Sequence, residues 1–377
     1  MAMKEEEEEQ IVILGAGIVG AATAFYLACA HDGGSSKRRV HLVDAGKVAG
    51  GASGKAGGFL ARDWHGARSA SLAALSFDLH AQLAAEYDGE QRWGYARTRA
   101  FSIAPRPGQA KNWITTGASR SSAAARARKT DALPPWLRVD GVADAQLVGD
   151  GATTAQVDPY LLTHFLADEA VRRGVELHED TRPLSVDGGR RILHCTTGCQ
   201  LPYTKLLIAA GPWSASLHAM LFPCSPRLPV GSLAGHSLVV TTRQPTPEPC
   251  ALFASHTKFS PEIFSRTNGE IYIAGLNSAQ LPLPTSTSAV VPLQEELAVL
   301  HEVAKTLVGE FEVVRTQLCF RPITDKELLL DELGEGVYVC TGAGPWGITL
   351  GPGCGRCCAD LLMGRTSSAD VSQLGLD

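Results

Sequence analysis

Three glycines, Gly15, Gly17 and Gly20, follow the short apolar run 11–14 and open a helical pattern that continues to about Ala30. That spacing suits a diphosphate. The first glycine permits a tight turn, the second lets backbone approach the pyrophosphate, and the third lets helix and strand pack closely. The helix N-terminus adds unpaired N–H groups and a partial positive charge. Residues 40–43 then form a second strand ending at Asp44, whose carboxylate can accept hydrogen bonds from a ribose hydroxyl. The interval from Gly20 to Asp44 is longer than usual, and the polar loop HDGGSSKRR at 31–39 accounts for the excess. A glycine-rich core turn with no ligand is the alternative reading. Just beyond the acid, GGASGKAGGF at 50–59 concentrates glycine, which implies backbone lying close against something flat or charged.

Other chemistry is poorly supported. Cys354 and Cys357 form a C-x-x-C, but no Cys or His pair follows at zinc spacing, and packing within a terminal helix accounts for both better than redox exchange does. His164, His218, His236, His256 and His301 show no spacing that suggests a metal or a relay, so no metal is expected. No G-x-S-x-G elbow is present.

The elements that must position these residues alternate as in a dinucleotide fold. Leucines at 72, 75, 79 and 83 repeat at helical spacing. Asp158-Pro159 opens a helix through Arg173, residues 175–177 and 206–210 read as strands returning to the first sheet, and 235–275 turns strand-like. Residues 293–308 read as a helix, 337–340 as a last buried strand, and a final helix is expected from about Gly353. The chain has 377 residues, 45% of them apolar, and a net charge of −5, which offers no electrostatic footprint for nucleic acid. The uncharged stretch 11–30 approaches the length of a membrane span, but an acidic run (5–9) precedes it and three glycines interrupt it, so a span is not expected. The ten scattered cysteines are expected to be reduced and buried. SRSSAAARARK at 119–129 reads as an exposed basic loop.

The order of these pieces, together with LLIAAGPW at 206–213, QLCFRPITD at 317–325 and VYVCTGAGPWGITLG at 337–351, resembles the D-amino-acid oxidase and glycine/sarcosine oxidase superfamily of FAD-dependent oxidoreductases. Its closest flavour is a eukaryotic branch of FAD oxidoreductases. The resemblance covers nearly the whole chain, most firmly the cofactor segments. It implies an α/β fold: a Rossmann-type FAD-binding domain with a strand-rich α+β substrate domain. On this basis residues 10–75, 152–230 and 310–377 form the FAD-binding domain, 76–151 and 231–309 the substrate domain, and 1–9 an acidic tail.

The resemblance also assigns residues. Gly15, Gly17, Ile18, Val19 and Gly20 would meet the cofactor at the first turn, with Asp44 and Ala45 after the second strand. Ser53, Gly54, Lys55, Ala56, Gly57 and Gly58 would run past the pyrophosphate and flavin ring, joined by Pro183, Ala210, Gly211 and Trp213. Gly342, Gly344, Gly347, Ile348 and Thr349 would bring backbone to the flavin pyrimidine edge, at the positive end of the last helix. Lys55 would stabilise anionic reduced flavin or superoxide, with a phosphate-facing or solvated lysine as the alternative. Arg321 would pair with a substrate carboxylate as a bidentate fork, or else tie down the cofactor domain. Trp346 would stack over the substrate side of the flavin, or serve as core. Cys319 aligns with a cysteine that bonds covalently to flavin in sarcosine-oxidase relatives, but ordinary burial and non-covalent FAD are expected.

Two departures matter. Gly342-Ala343-Gly344 stands where the family often has Gly-His-Gly, and Pro345-Trp346 stands where relatives carry a second cation. A lone carboxylate clamp weakens the case for a standard amino-acid substrate. The expected activity is oxidation of the C–N bond of an amine or amino acid, hydride passing to flavin N5 and dioxygen becoming hydrogen peroxide. The alternatives are a dehydrogenase with another acceptor and a flavin-stabilised trafficking or interaction protein. Glu262 and Arg266 read as a surface pair. The end Gly375-Leu376-Asp377 is not a peroxisomal tripeptide and the acidic start does not suit a transit peptide, which leaves cytoplasm as the default expectation.

Overall fold

The structure is a computed structural model that describes residues 8–31, 38–104, 128–130, 133–138, 142, 144–243, 248–254 and 259–376. The first strand, Glu9–Leu14, carries Ile11, Val12, Ile13 and Leu14 with almost no exposure, as strands covered on both faces do. It pairs in parallel with Arg38–Val43 on one side and Lys205–Ile208 on the other. Val337–Thr341 and the antiparallel Leu329–Gly334 extend the sheet at one edge, and Glu176–His178 closes it at the other. Helices Ile18–His31, Pro159–Arg172 and Gly347–Leu362 bury one face, and a three-stranded sheet with helix Ser214–Leu221 covers the other. The stretch 11–30 is therefore strand, turn and helix, and among the described residues no helix is long and apolar enough to cross a membrane.

A nine-stranded sheet forms the second layer. Its order runs Phe311–Ile323, Gly231–Thr242, Glu270–Ser278, Glu262–Ser265, Cys250–Ala254, Ala96–Ala104, Asp144–Gln156 and Phe59–Ala61, with Arg128–Lys129 pairing beside Asp144–Gln156. Helix Gln294–Leu307 buries Leu300, Val303, Ala304 and Leu307 against it. The α/β architecture expected from the sequence is thus present.

The chain crosses between the layers at other points than expected. Phe311–Ile323 belongs to the nine-stranded sheet, hydrogen-bonded along Gly231–Thr242, although the cut at 310 assigned it to the cofactor domain. Helix Ala70–Glu86 is not divided at residue 75. It packs as one piece into the cofactor core through Leu72, Phe77 and Leu83. The pairing partners lie far away in sequence, so local pattern could not place the cut. The basic stretch 119–129 and the acidic tail 1–9 fall mostly outside the described residues.

The last helix starts at Gly347, six residues before the expected Gly353. Pro352 inside it cannot donate to the carbonyl four residues back, which would leave that of Ile348 unmet. His80 supplies the substitute, its Nε2 lying 2.9 Å from the Ile348 carbonyl, and Ser76 Oγ accepts from the Gly353 N–H at 2.8 Å. Two side chains of helix Ala70–Glu86 thereby splice the interrupted helix. Further along, added Cβ atoms at Gly351 and Gly355 would lie 2.3 Å from Ile18 and Ala22 respectively. The contacts Ile18–Gly351 and Ala22–Gly355 advance together, so the first and last helices run parallel, side by side.

Candidate active site

The glycine turn holds the geometry that its sequence implies. Gly15 has φ +111°, and its Cβ would lie 2.4 Å from the Ala209 carbonyl, so only glycine fits between the central strands. Gly20 presses on the Gly15 carbonyl, where a Cβ would sit 1.9 Å away. Asp44 braces the turn: one carboxylate oxygen accepts from the Ala16 N–H at 2.7 Å, the other from the Gly46 N–H at 2.7 Å. Burial pushes its pKa up, and these two bonds oppose that. Each oxygen retains a lone pair for a further donor. Ser53 caps the first helix by accepting from the Ile18 N–H at 2.9 Å.

A single cavity of about 790 Å³ runs from this turn to the closing loop, within the usual range for ligand pockets. Gly15, Gly17, Ile18, Val19, Asp44 and Ala45 line one end, with Pro183 beside them. Ser53, Ala56, Gly57 and Gly58 form its floor, and Ala210, Gly211 and Trp213 form a side wall. Gly342, Gly344, Trp346, Gly347 and Ile348 complete the other end, beside Arg321 and Cys319. The two parallel helices begin at Ile18 and Gly347, so both positive ends open on this crevice. A long, largely flat molecule with phosphates near the turn fits these walls, as FAD requires.

Four expected contact residues do not line the cavity. Gly20 and Gly54 serve packing: a Cβ at Gly54 would lie 2.2 Å from the Ala49 carbonyl. Thr349 is buried and donates to the Phe59 carbonyl at 3.1 Å. Lys55 is turned behind the wall. Its Nζ donates to the Leu318 carbonyl at 3.2 Å, and burial lowers its pKa. It is part-buried against strand Phe311–Ile323, next to the cavity-lining Cys319.

Arg321 does line the cavity. It donates to Asn277 Oδ1, and its Nε is buried with no protein partner among the described residues. Trp346 lines the same end, its ring centroid 4.6 Å from that of His65 and edge-on to Trp64 at 6.4 Å. Cys319 is buried on the wall, and burial raises its thiol pKa against the opposing charges of Arg321 and Lys55. That keeps the sulfur protonated and poorly nucleophilic.

Sequence reasoning missed several lining groups. His236, Phe253, Phe264, Tyr272 and Asn277 project from the nine-stranded sheet, and alternation along Glu270–Ser278 was the available signal for Tyr272. Thr287 overhangs the opposite end near Gly46 and Gly50, in a segment that Trp213 anchors by donating to the Pro284 carbonyl at 2.7 Å. Glu262 and Arg266 are not a surface pair. Glu262 lines the cavity, and Arg266 is 7% exposed, bonded to Asp158 at 2.9 Å, to Glu270 at 3.3 Å and to the Ala56 carbonyl at 3.2 Å. It ties the glycine ribbon to both layers.

Comparison with known proteins decides the family. The model of the FAD-dependent oxidoreductase (DAO) family matches residues 10–361. The chain belongs to that family. A Schizosaccharomyces pombe protein named as an oxidoreductase is 27% identical over 97% of both chains, and glycine oxidase of Geobacillus kaustophilus is 24% identical over 97% of this chain and 96% of that one. The crystal structure of that glycine oxidase superposes with a TM-score of 0.81 at 23% identity, covering 98% of this chain and 99% of the other. L-proline dehydrogenase from P. horikoshii superposes with a TM-score of 0.77 at 15% identity, covering 97% and 96%. This member of the DAO family is an FAD-dependent oxidoreductase with the family fold.

Proposed function

We propose that this oxidoreductase oxidises the C–N bond of a small amine or amino acid that carries a carboxylate, using non-covalently held FAD and delivering electrons to dioxygen. Bound FAD supplies the hydride acceptor and, on reoxidation by dioxygen, the route to hydrogen peroxide. The protein's part is positioning. The single observation that carries the reading is Arg321, anchored by Asn277 with a buried Nε lacking a protein partner among the described residues, in the same cavity as the glycine turn. A carboxylate there would accept from the fork and place the neighbouring carbon near the closing loop. Phe253, Phe264, Tyr272 and Trp346 give the chamber apolar walls that exclude water. No side chain is assigned as a general base, because an amine bound neutral can lose hydride without one.

The test is anaerobic flavin bleaching across a panel of carboxylated and non-carboxylated amines, followed by peroxide assay in air. Bleaching by carboxylated substrates with peroxide release is expected. Bleaching without peroxide would reassign the acceptor, and no bleaching across the panel would overturn the proposal.

A further inference from the structure

On the sheet edge away from the crevice, three potential ligands meet. His41 lies on strand Arg38–Val43, and Glu176 and His178 lie on the adjoining parallel strand. The register sets His41 opposite Glu176 and Val43 opposite His178, so the three side chains share one face. His41 Nδ1 is 3.1 Å from His178 Nε2 and 3.5 Å from Glu176 Oε2, and the three ligand atoms fall within 4.8 Å of one another. Among the described residues no other three His, Cys, Asp or Glu side chains meet this closely.

Those separations carry a chemical meaning. A tetrahedral zinc with ligands at about 2.0–2.1 Å has ligand–ligand edges of about 3.3 Å. Two of the three edges are already near that length. The third closes by rotating Glu176, whose side chain is half exposed, so that only a mobile carboxylate must move. His41 is buried at 4% exposure on its strand, so its ring is held in place while Glu176 adjusts. Arg39 lies 3.8 Å from Glu176 and competes for it, but both side chains are about half exposed and such a pair is weak.

We infer that His41, Glu176 and His178 form a divalent-metal site of zinc type, with solvent completing the coordination. The competing arrangement is a plain hydrogen bond between the imidazoles, one ring nitrogen donating and the other accepting. The ion would staple the edge strand Glu176–His178 to its neighbour. That join leads directly to the cofactor turn: the Asp44 N–H donates to the His178 carbonyl at 2.9 Å, and the Thr181 N–H to the Asp44 carbonyl at 2.8 Å.

The experiment uses the metal-free, FAD-loaded full chain titrated with Zn²⁺ by calorimetry and with Co²⁺ by absorbance. One-to-one uptake, a raised melting temperature, and Co²⁺ bands of nitrogen and oxygen ligation without thiolate charge transfer are expected. His178→Ala should weaken Zn²⁺ binding at least about 100-fold and Glu176→Gln about tenfold, larger than or comparable to the loss of an outer-shell partner. Both positions are accessible, and retained flavin absorbance with an unchanged circular dichroism spectrum certifies folding of the variants. No uptake, uptake unchanged in His178→Ala, or a thiolate charge-transfer band pointing to the cysteines would overturn the inference.

Discussion

Arg321 holds Asn277 with one nitrogen and leaves Nε buried without a protein acceptor among the described residues, so an incoming carboxylate meets a donor that is already dehydrated. Hydrogen bonds to charged groups contribute about 1.5–3 kcal/mol. Arg321→Met should therefore lower kcat/KM for a carboxylated amine by roughly 10- to 150-fold while FAD absorbance is retained. Loss of FAD from the variant instead would assign Arg321 to the cofactor. Arg266 acts through structure. It faces Asp158 and Glu270 in a nearly dry pocket, and Arg266→Met takes from Asp158 its cationic partner while Glu270 keeps Arg315. Breaking such a pair costs about 3–5 kcal/mol, readable as a lowered denaturant midpoint with an unchanged slope. Neither role was fully legible in the sequence. Arg321 stood out because of its RP motif, whereas Arg266 meets partners 108 residues upstream and four residues downstream, and only the fold brings the first to it.

The last helix depends on another element to survive Pro352. His80 bridges the freed Ile348 carbonyl from 268 residues away in sequence, which is why a glycine- and proline-rich stretch looked like loop up to Gly353. The first strand, turn and helix were legible because every contact that shapes them is local, down to the glycine spacing. His80 also sets a pH limit. Burial lowers its pKa from 6.5 to about 4, and burial lowers that of His65 to about 4 as well. The unfolded chain binds these protons first, so the part of stability that rests on these two histidines should fall as pH drops from about 6.5 towards 4 and should level off below that. For fully buried His80 the loss is on the order of 3 kcal/mol, from about 1.4 kcal/mol per pKa unit. Thermal melts across this window should show the decline, and His80→Gln should remove part of it.

Across the whole molecule, the crevice is assembled from stretches between Leu14 and Ile348, so no contiguous fragment contains it. Sequence reading found its glycine-rich parts and missed the wall supplied by the nine-stranded sheet, because strand pairing is set by partners up to 151 residues apart, as between Ala96–Ala104 and Cys250–Ala254. FAD binds only the assembled form, and at 100 times its Kd it should add about 2.7 kcal/mol of stability, seen as a concentration-dependent melting temperature. Gly355→Leu should force the first and last helices apart, costing about 1–3 kcal/mol and weakening FAD retention during dialysis.

The side-by-side course of those two helices has an electrical consequence. Dipoles aligned in the same sense repel, and here both positive poles crowd one opening, so the cofactor-free protein carries a frustration that a diphosphate discharges. Mobile anions can discharge it too, and they compete with the diphosphate for the same place. Raising chloride should then steady the flavin-free protein against heat while loosening its grip on FAD, two opposite trends from one arrangement of backbone.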